Sequence, residues 1–209
     1  MQSVWQASRL GERTEHQRLE RFVLGVPVYR LARASCAYGE HWREPFEGCL
    51  ECDETTFAGA KKGKRGRGAA GKVMLLGILK RNGEVKVFAV KARSGQRLIR
   101  LVCMHTRPGS LYYSDSWQAY ASLAVRGDRI VVRKEGGRPK GRAHINGIEG
   151  FWSDAKHWLY PYRGVPRRFF HLYPGEVCYR FNHRAEDLVP LVLQLMKRLD
   201  YATLRSLSG

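Results

Sequence analysis

From Leu50 onward the apolar residues leave helical spacing and gather into short runs rich in β-branched and aromatic side chains, and the succession of those runs limits the folds open to the chain. Alternation predicts strands over 50–57, 73–80 and 85–92, the last two joined at Asn82 and Gly83, a pair suited to a two-residue hairpin turn. A helix over 96–104, a strand over 111–114, a helix over 117–123 and a fifth strand over 129–132 follow. Helical spacing then takes over across 145–159, 170–184 and 188–199. A three-stranded meander, then alternating helix and strand, then helices, reads as an α/β fold: a five-stranded mixed sheet flanked by helices.

That order matches the ribonuclease H-like fold. The 209 residues, 44% of them hydrophobic, suffice for one core and a small appendage. The expected division is an N-terminal helical segment over 1–48, a catalytic domain over 49–187, and a C-terminal helix and tail over 188–209. In the first segment, Leu19, Phe22, Val23, Val26 and Leu31 surround Gly25 and Pro27, which suggests a helix, a turn and a second short helix. This reads either as half of a helix-turn-helix or as a helical cap on the main domain.

The formal charge of +18, from 37 Lys and Arg against 19 Asp and Glu, predicts attraction to polyanions, nucleic acid first. A stretch rich in Gly and positive charge, with Lys61, Lys62, Lys64, Arg65, Arg67 and Lys72, is expected to be a DNA-contacting loop between the first two strands. No apolar run reaches the ~18 residues a membrane span needs, and no secretory leader is evident, so a cytoplasmic protein is expected. Five scattered cysteines argue against a disulfide framework. Cys49 and Cys52 have the spacing of half a zinc site, with no second half at finger spacing, and are expected to be reduced thiols.

Against this basic background three acids stand out. Asp53 falls within the first strand, where an ionised carboxylate is costly to bury unless paired or bound to a cation. Its neighbour Glu54 should point to the opposite face, leaving Asp53 to address the site; an edge charge facing water is the alternative. Asp115 ends the apolar run Leu111, Tyr112, Tyr113 at the carboxyl end of a strand, where α/β sheets gather ligands, or else caps the helix that follows. Glu149 belongs to a polar helical stripe with Asn146, Ser153 and Lys156, beside the apolar stripe Ile145, Ile148, Trp152, Ala155 and Leu159. Carboxylates from two strands and a helix suit a pair of Mg²⁺ ions about 3.5–4 Å apart acting on a phosphodiester, with Mn²⁺ as a substitute.

The segments "ECDETTFAG", "YYSDSWQAY", "HINGIEGFWSDAKHWL" and "VCYRFNHR" resemble, in order and approximate spacing, the DDE transposases of bacterial insertion sequences, in particular the ISXO2-like domain. The resemblance implies that Asp53, Asp115 and Glu149 are metal ligands, that Asn146, Lys156 and His144 assist them, and that Arg180, Asn182 and Arg184 form the final helix motif. Those last three either touch DNA or tie their helix to the domain. It further implies DNA partners, both transposon ends and target, and a homo-oligomeric active complex. Longer relatives begin with a zinc ribbon and a complete helix-turn-helix, which this sequence lacks before Cys49, so it reads as a truncated or repurposed copy. The expected activity is cleavage and transfer of DNA strands; the alternatives are a DNA-binding protein without transposition and a nuclease of the same fold.

Overall fold

The computed structural model describes residues 28–41, 44–58, 72–81, 83–90, 94–132, 141, 143–162, 169–200 and 202–203. Its elements are α1 (Val28–His41), β1 (Cys49–Ala58), β2 (Lys72–Lys80), β3 (Val85–Val90), α2 (Gly95–His105), β4 (Leu111–Ser114), a 3₁₀ helix (Gln118–Val125), β5 (Arg129–Val131), α3 (Asn146–Leu159), α4 (Leu172–Asn182) and α5 (Leu188–Arg198). One five-stranded sheet has the order β3-β2-β1-β4-β5. The β1–β2 and β2–β3 pairs are antiparallel, and the β1–β4 and β4–β5 pairs are parallel. This is the expected mixed α/β sheet, compatible with a ribonuclease H-like fold.

Alternation along the central strands divides the core in two. Leu50 and Cys52 of β1, Leu76 and Ile78 of β2 and Tyr112 of β4 face Leu98 and Val102 of α2 and Tyr120 and Leu123 of the 3₁₀ helix. Leu75, Leu79 and Tyr113 face the opposite way, onto Ile148, Phe151, Trp152 and Ala155 of α3 and the helices behind it. Burial on both sides explains why β2 reads as an almost continuous apolar run. The helix after β4 is 3₁₀ rather than α, and its two buried side chains, Tyr120 and Leu123, are three residues apart, which stacks them on one side at three residues per turn.

α3 approaches the sheet closely because position 77 is glycine. A Cβ there would stand 2.5 Å from Trp152 Cζ2 and 2.8 Å from Ile148 Cδ1. Gly77 is also the β2 partner of Asp53, so helix and strand come together beside a candidate acid.

α1 continues to His41, well past the short helix expected near Arg33. The extension is rich in small residues, and these form a close helix crossing: a Cβ on Gly175 of α4 would lie 2.5 Å from Ala37 Cβ. Arg33 secures the contact, with Nε 2.6 Å from Glu176 Oε2 and Nη1 donating to Tyr173 Oη at 3.0 Å. α1 thus packs on α4, and the first helix of the expected pair lies outside the described residues.

Candidate active site

Two acids meet because two parallel strands are in register. Pairing of β1 with β4 runs from Cys49 opposite Leu111 to Cys52 opposite Ser114, so the next residues, Asp53 midway along β1 and Asp115 just past β4, sit side by side. Asp53, Glu54 and Asp115, all partly exposed, each offer a carboxylate oxygen, and these atoms lie within 4.8 Å of one another. Such crowding of like charge is unfavourable without a cation or a proton among them.

Local bonding fixes Asp115. Its Oδ1 accepts the Trp117 N–H at 2.9 Å in a turn that leads into the 3₁₀ helix, whose own N-cap, Trp117, makes no side-chain capping bond. From β5, Arg129 donates through Nε to Ser114 Oγ at 3.0 Å and through Nη2 to the Asp115 carbonyl at 2.8 Å. Sequence reasoning passed over Arg129, whose only local signal is a cation on a short strand.

Glu54 departs from expectation. Alternation places it on the α2 face, where Tyr120 Oη donates to its Oε2 at 3.1 Å, and burial, then Glu54, push the phenol well above its ordinary pKa. Its carboxylate nevertheless joins the group with Asp53. β1 has by then passed its last pairing with β4, so no neighbouring backbone separates the two faces on that side.

Glu149 arrives on α3. The side chains of Ile148 and Trp152 both lie over Gly77, so the turn bearing Glu149 crosses the sheet at the level of Asp53. Glu149 is half-buried and stands outside the close acid group. Asn146 and Lys156 are exposed on the same helix.

A fifth carboxylate, Glu51, lies two residues before Asp53 on the same face of β1. It is 1% exposed and fully engaged: Oε1 accepts from Arg81 Nε and Oε2 accepts the Ile148 N–H, each at 2.9 Å. His144 Nδ1 is 3.7 Å from Oε1, which puts His144 at the start of α3 above Glu51. Period-two reading would have found Glu51, since it shares a face with Asp53 and Phe57.

Arg180 is held by Glu176, with Nη2 and Oε1 2.9 Å apart, and lies over the Trp158 ring. Asn182 brackets Val85, accepting its N–H at 2.7 Å and donating to its carbonyl at 2.9 Å. Arg184 donates to the carbonyls of Gly83 and Phe181. The motif thus ties α4 to the β2–β3 hairpin. Lys61, Lys62, Lys64, Arg65 and Arg67 lie outside the described residues, and of Lys72 only its place at the start of β2 is described.

Cys49 and Cys52, three apart on one strand, point to opposite faces; the first is exposed and the second buried. Burial, then the charges of Asp53 and Glu51, push the Cys52 thiol up to about 12. They are two separate free thiols. Among the described residues no helix is long and apolar enough to cross a membrane.

Comparison with known proteins agrees with this geometry. A transposase-like protein of Haemophilus influenzae is 28% identical over 116 residues, covering 54% of this chain and 94% of the relative. A protein in the transposable element ISH50 of Halobacterium salinarum is 30% identical over 159 residues, covering 67% of this chain and 53% of the relative; the chain spans about half the length of that protein. The family model of the ISXO2-like transposase domain matches residues 45–182, from just before β1 to the end of α4. With its sheet order and paired acids, the chain belongs to the ISXO2-like transposase domain family.

Proposed function

We propose that the chain catalyses metal-dependent cleavage of DNA strands at the ends of an insertion sequence and joins the freed 3′-hydroxyl to target DNA. The observation that carries this reading is the meeting of Asp53 and Asp115 where the parallel pairing of β1 with β4 ends. The donors fit the implied ions: carboxylate oxygens, close together and partly exposed, are what a hard divalent cation prefers. Asp53, Asp115 and Glu149 would hold the ions, with Glu54 near enough to share the task. Two bound Mg²⁺ ions, or Mn²⁺ in their place, supply activation of a water or 3′-hydroxyl and stabilise the leaving oxygen.

The protein's own part is placement. Trp117 and Arg129 hold the end of β4, Tyr120 holds Glu54, and Gly77 lets the part of α3 that carries Glu149 pack closely on β2. Asn146 and Lys156 flank Glu149 where phosphate oxygens of a bound strand would lie, and the net charge of +18 draws in the duplex. DNA is the partner, the active complex is a homo-oligomer, and the protein works in the cytoplasm, at the nucleoid when bound.

The test uses purified protein, Mg²⁺ and a duplex carrying the element's ends together with target DNA. The expected result is cleavage and joining, both lost in Asp53→Asn, Asp115→Asn and Glu149→Gln. Cleavage by Asp53→Asn at the parent rate sinks the mechanism. Cleavage without joining would identify a nuclease, and salt-sensitive binding without either would identify a DNA-binding protein only.

A further inference from the structure

We propose that Arg81, together with Glu51, is a positioning hub that sets the three acid-bearing elements relative to one another, an inference that rests on reading Asp53, Asp115 and Glu149 as the metal ligands. Arg81 follows β2 and carries none of those acids, yet its guanidinium touches every element that does. Nε donates to Glu51 on β1 at 2.9 Å. Nη2 donates to the carbonyl of His144, at the entry to α3. The guanidinium carbon lies 3.5 Å from the centroid of the Tyr113 ring on β4. Glu51 stands two residues before Asp53, and Tyr113 two before Asp115. Each pair is in phase along its strand, with a span of about 7 Å.

The third arm runs through Glu51. Ile145, at the N-cap of α3, makes no side-chain capping bond. The first N–H of the helix, that of Asn146, donates to His144 Nδ1 at 3.4 Å; the N–H groups after it need acceptors too, and an anion there is favoured by the helix dipole. Glu51 supplies the acceptor from 97 positions away: its Oε2 takes the N–H of Ile148, the residue directly before Glu149. Gly147 leaves room for this approach, since a Cβ there would sit 2.9 Å from Glu51 Oε2 and 3.1 Å from Leu79 Cδ2. The backbone N–H of Arg81 also donates to the Cys49 carbonyl at 3.0 Å, which anchors the hub to the start of β1.

A fully buried carboxylate with a planar, five-donor partner is geometrically demanding, because Arg bonds in a rigid fork that Lys does not reproduce. The hub therefore transmits placement as well as stability. A merely structural ion pair would affect melting and leave the affinity of a folded variant for metal unchanged.

The test measures binding of Mn²⁺ alone, by loss of the free-ion electron paramagnetic resonance signal, alongside thermal melting, DNA affinity and strand cleavage at saturating DNA. Two variants avoid stranding a buried charge. The double substitution Glu51→Gln with Arg81→Met keeps an acceptor for Ile148 but removes the fork. Gly147→Ala forces helix and carboxylate apart while favouring helix. In both, Mn²⁺ affinity is expected to weaken by about 10- to 100-fold, as when groups supporting a metal's ligands are lost, with cleavage falling in step and DNA affinity unchanged. Arg81→Lys, which keeps the charge, is expected not to restore metal affinity. If the folded variants bind Mn²⁺ and cleave as the parent does, the hub is wrong. Asp53→Asn separates the two levels: loss of Mn²⁺ there with retention in the hub variants overturns the hub alone. Retention in Asp53→Asn overturns the metal assignment and the hub with it.

Discussion

β1 carries acids to two places two residues apart on one face, and the sheet treats them in opposite ways. Glu51 is 1% exposed, paired with Arg81 and bonded to α3. Asp53, partly exposed where β1 leaves its pairing with β4, shares its space with Glu54 and Asp115. The first environment matches a carboxylate with cationic and amide donors from the fold itself. The second gathers three carboxylates whose oxygens lie within 4.8 Å of one another.

Substitution breaks the comparison most forcefully at Asp53. Asp53→Asn is expected to lower cleavage by about 10²- to 10³-fold, the scale set by removing one group that stabilises transition-state charge. Its melting temperature should stay level or rise, since one of three crowded charges is gone. Glu51→Leu should behave in the reverse sense: it leaves Arg81 without its anion and costs about 3–5 kcal/mol of stability in urea unfolding. A Glu51→Leu protein as stable as the parent would erase the contrast.

Glu54→Gln sharpens the contrast from within the acid group. Gln still accepts from Tyr120, so folding should be untouched. Cleavage is expected to fall by about tenfold, on the scale of losing a group beside a metal.

The smallest effect concerns Cys52, lodged between the two acids. With its pKa raised from 9.0 to about 12, the folded state favours the neutral thiol. The associated stability is complete below pH 9 and lost as pH rises toward 12. Thermal melting should thus decline less steeply above pH 9 in Cys52→Ala than in the parent. At pH 8, alkylation should label exposed Cys49 and leave Cys52 untouched until the chain unfolds.

The strands were readable because β2 and β4 are short apolar runs between turn signals and because Asn82 and Gly83 mark the hairpin. α1 was underread because its extension relies on Ala34, Ala37 and Gly39, small residues that pack a helix closely yet carry little periodic signal. Asp53 within a strand and Asp115 just after one were legible as positions, and the parallel register of β1 and β4 that sets them side by side was not. Glu54 was assigned away from the site by an alternation rule that holds while a strand is paired on both sides, and β1 is no longer so paired there. Glu51 went unnoticed because its partners, Arg81 and Ile148, lie 30 and 97 positions distant, beyond any local pattern.

That last separation bears on how the chain matures. Bonds between residues so far apart close late, because their loop entropy is met before any contact repays it. During synthesis Asp53 emerges long before α3, and the Ile148 N–H at the start of α3 gains its Glu51 acceptor only when the helix docks on β1. The nascent chain can display its first two acids, but the third reaches its place only after most of the sheet is in hand. Coupling the docking of α3 to completion of the sheet makes the whole site a late product of folding, so that partly made chains lack it.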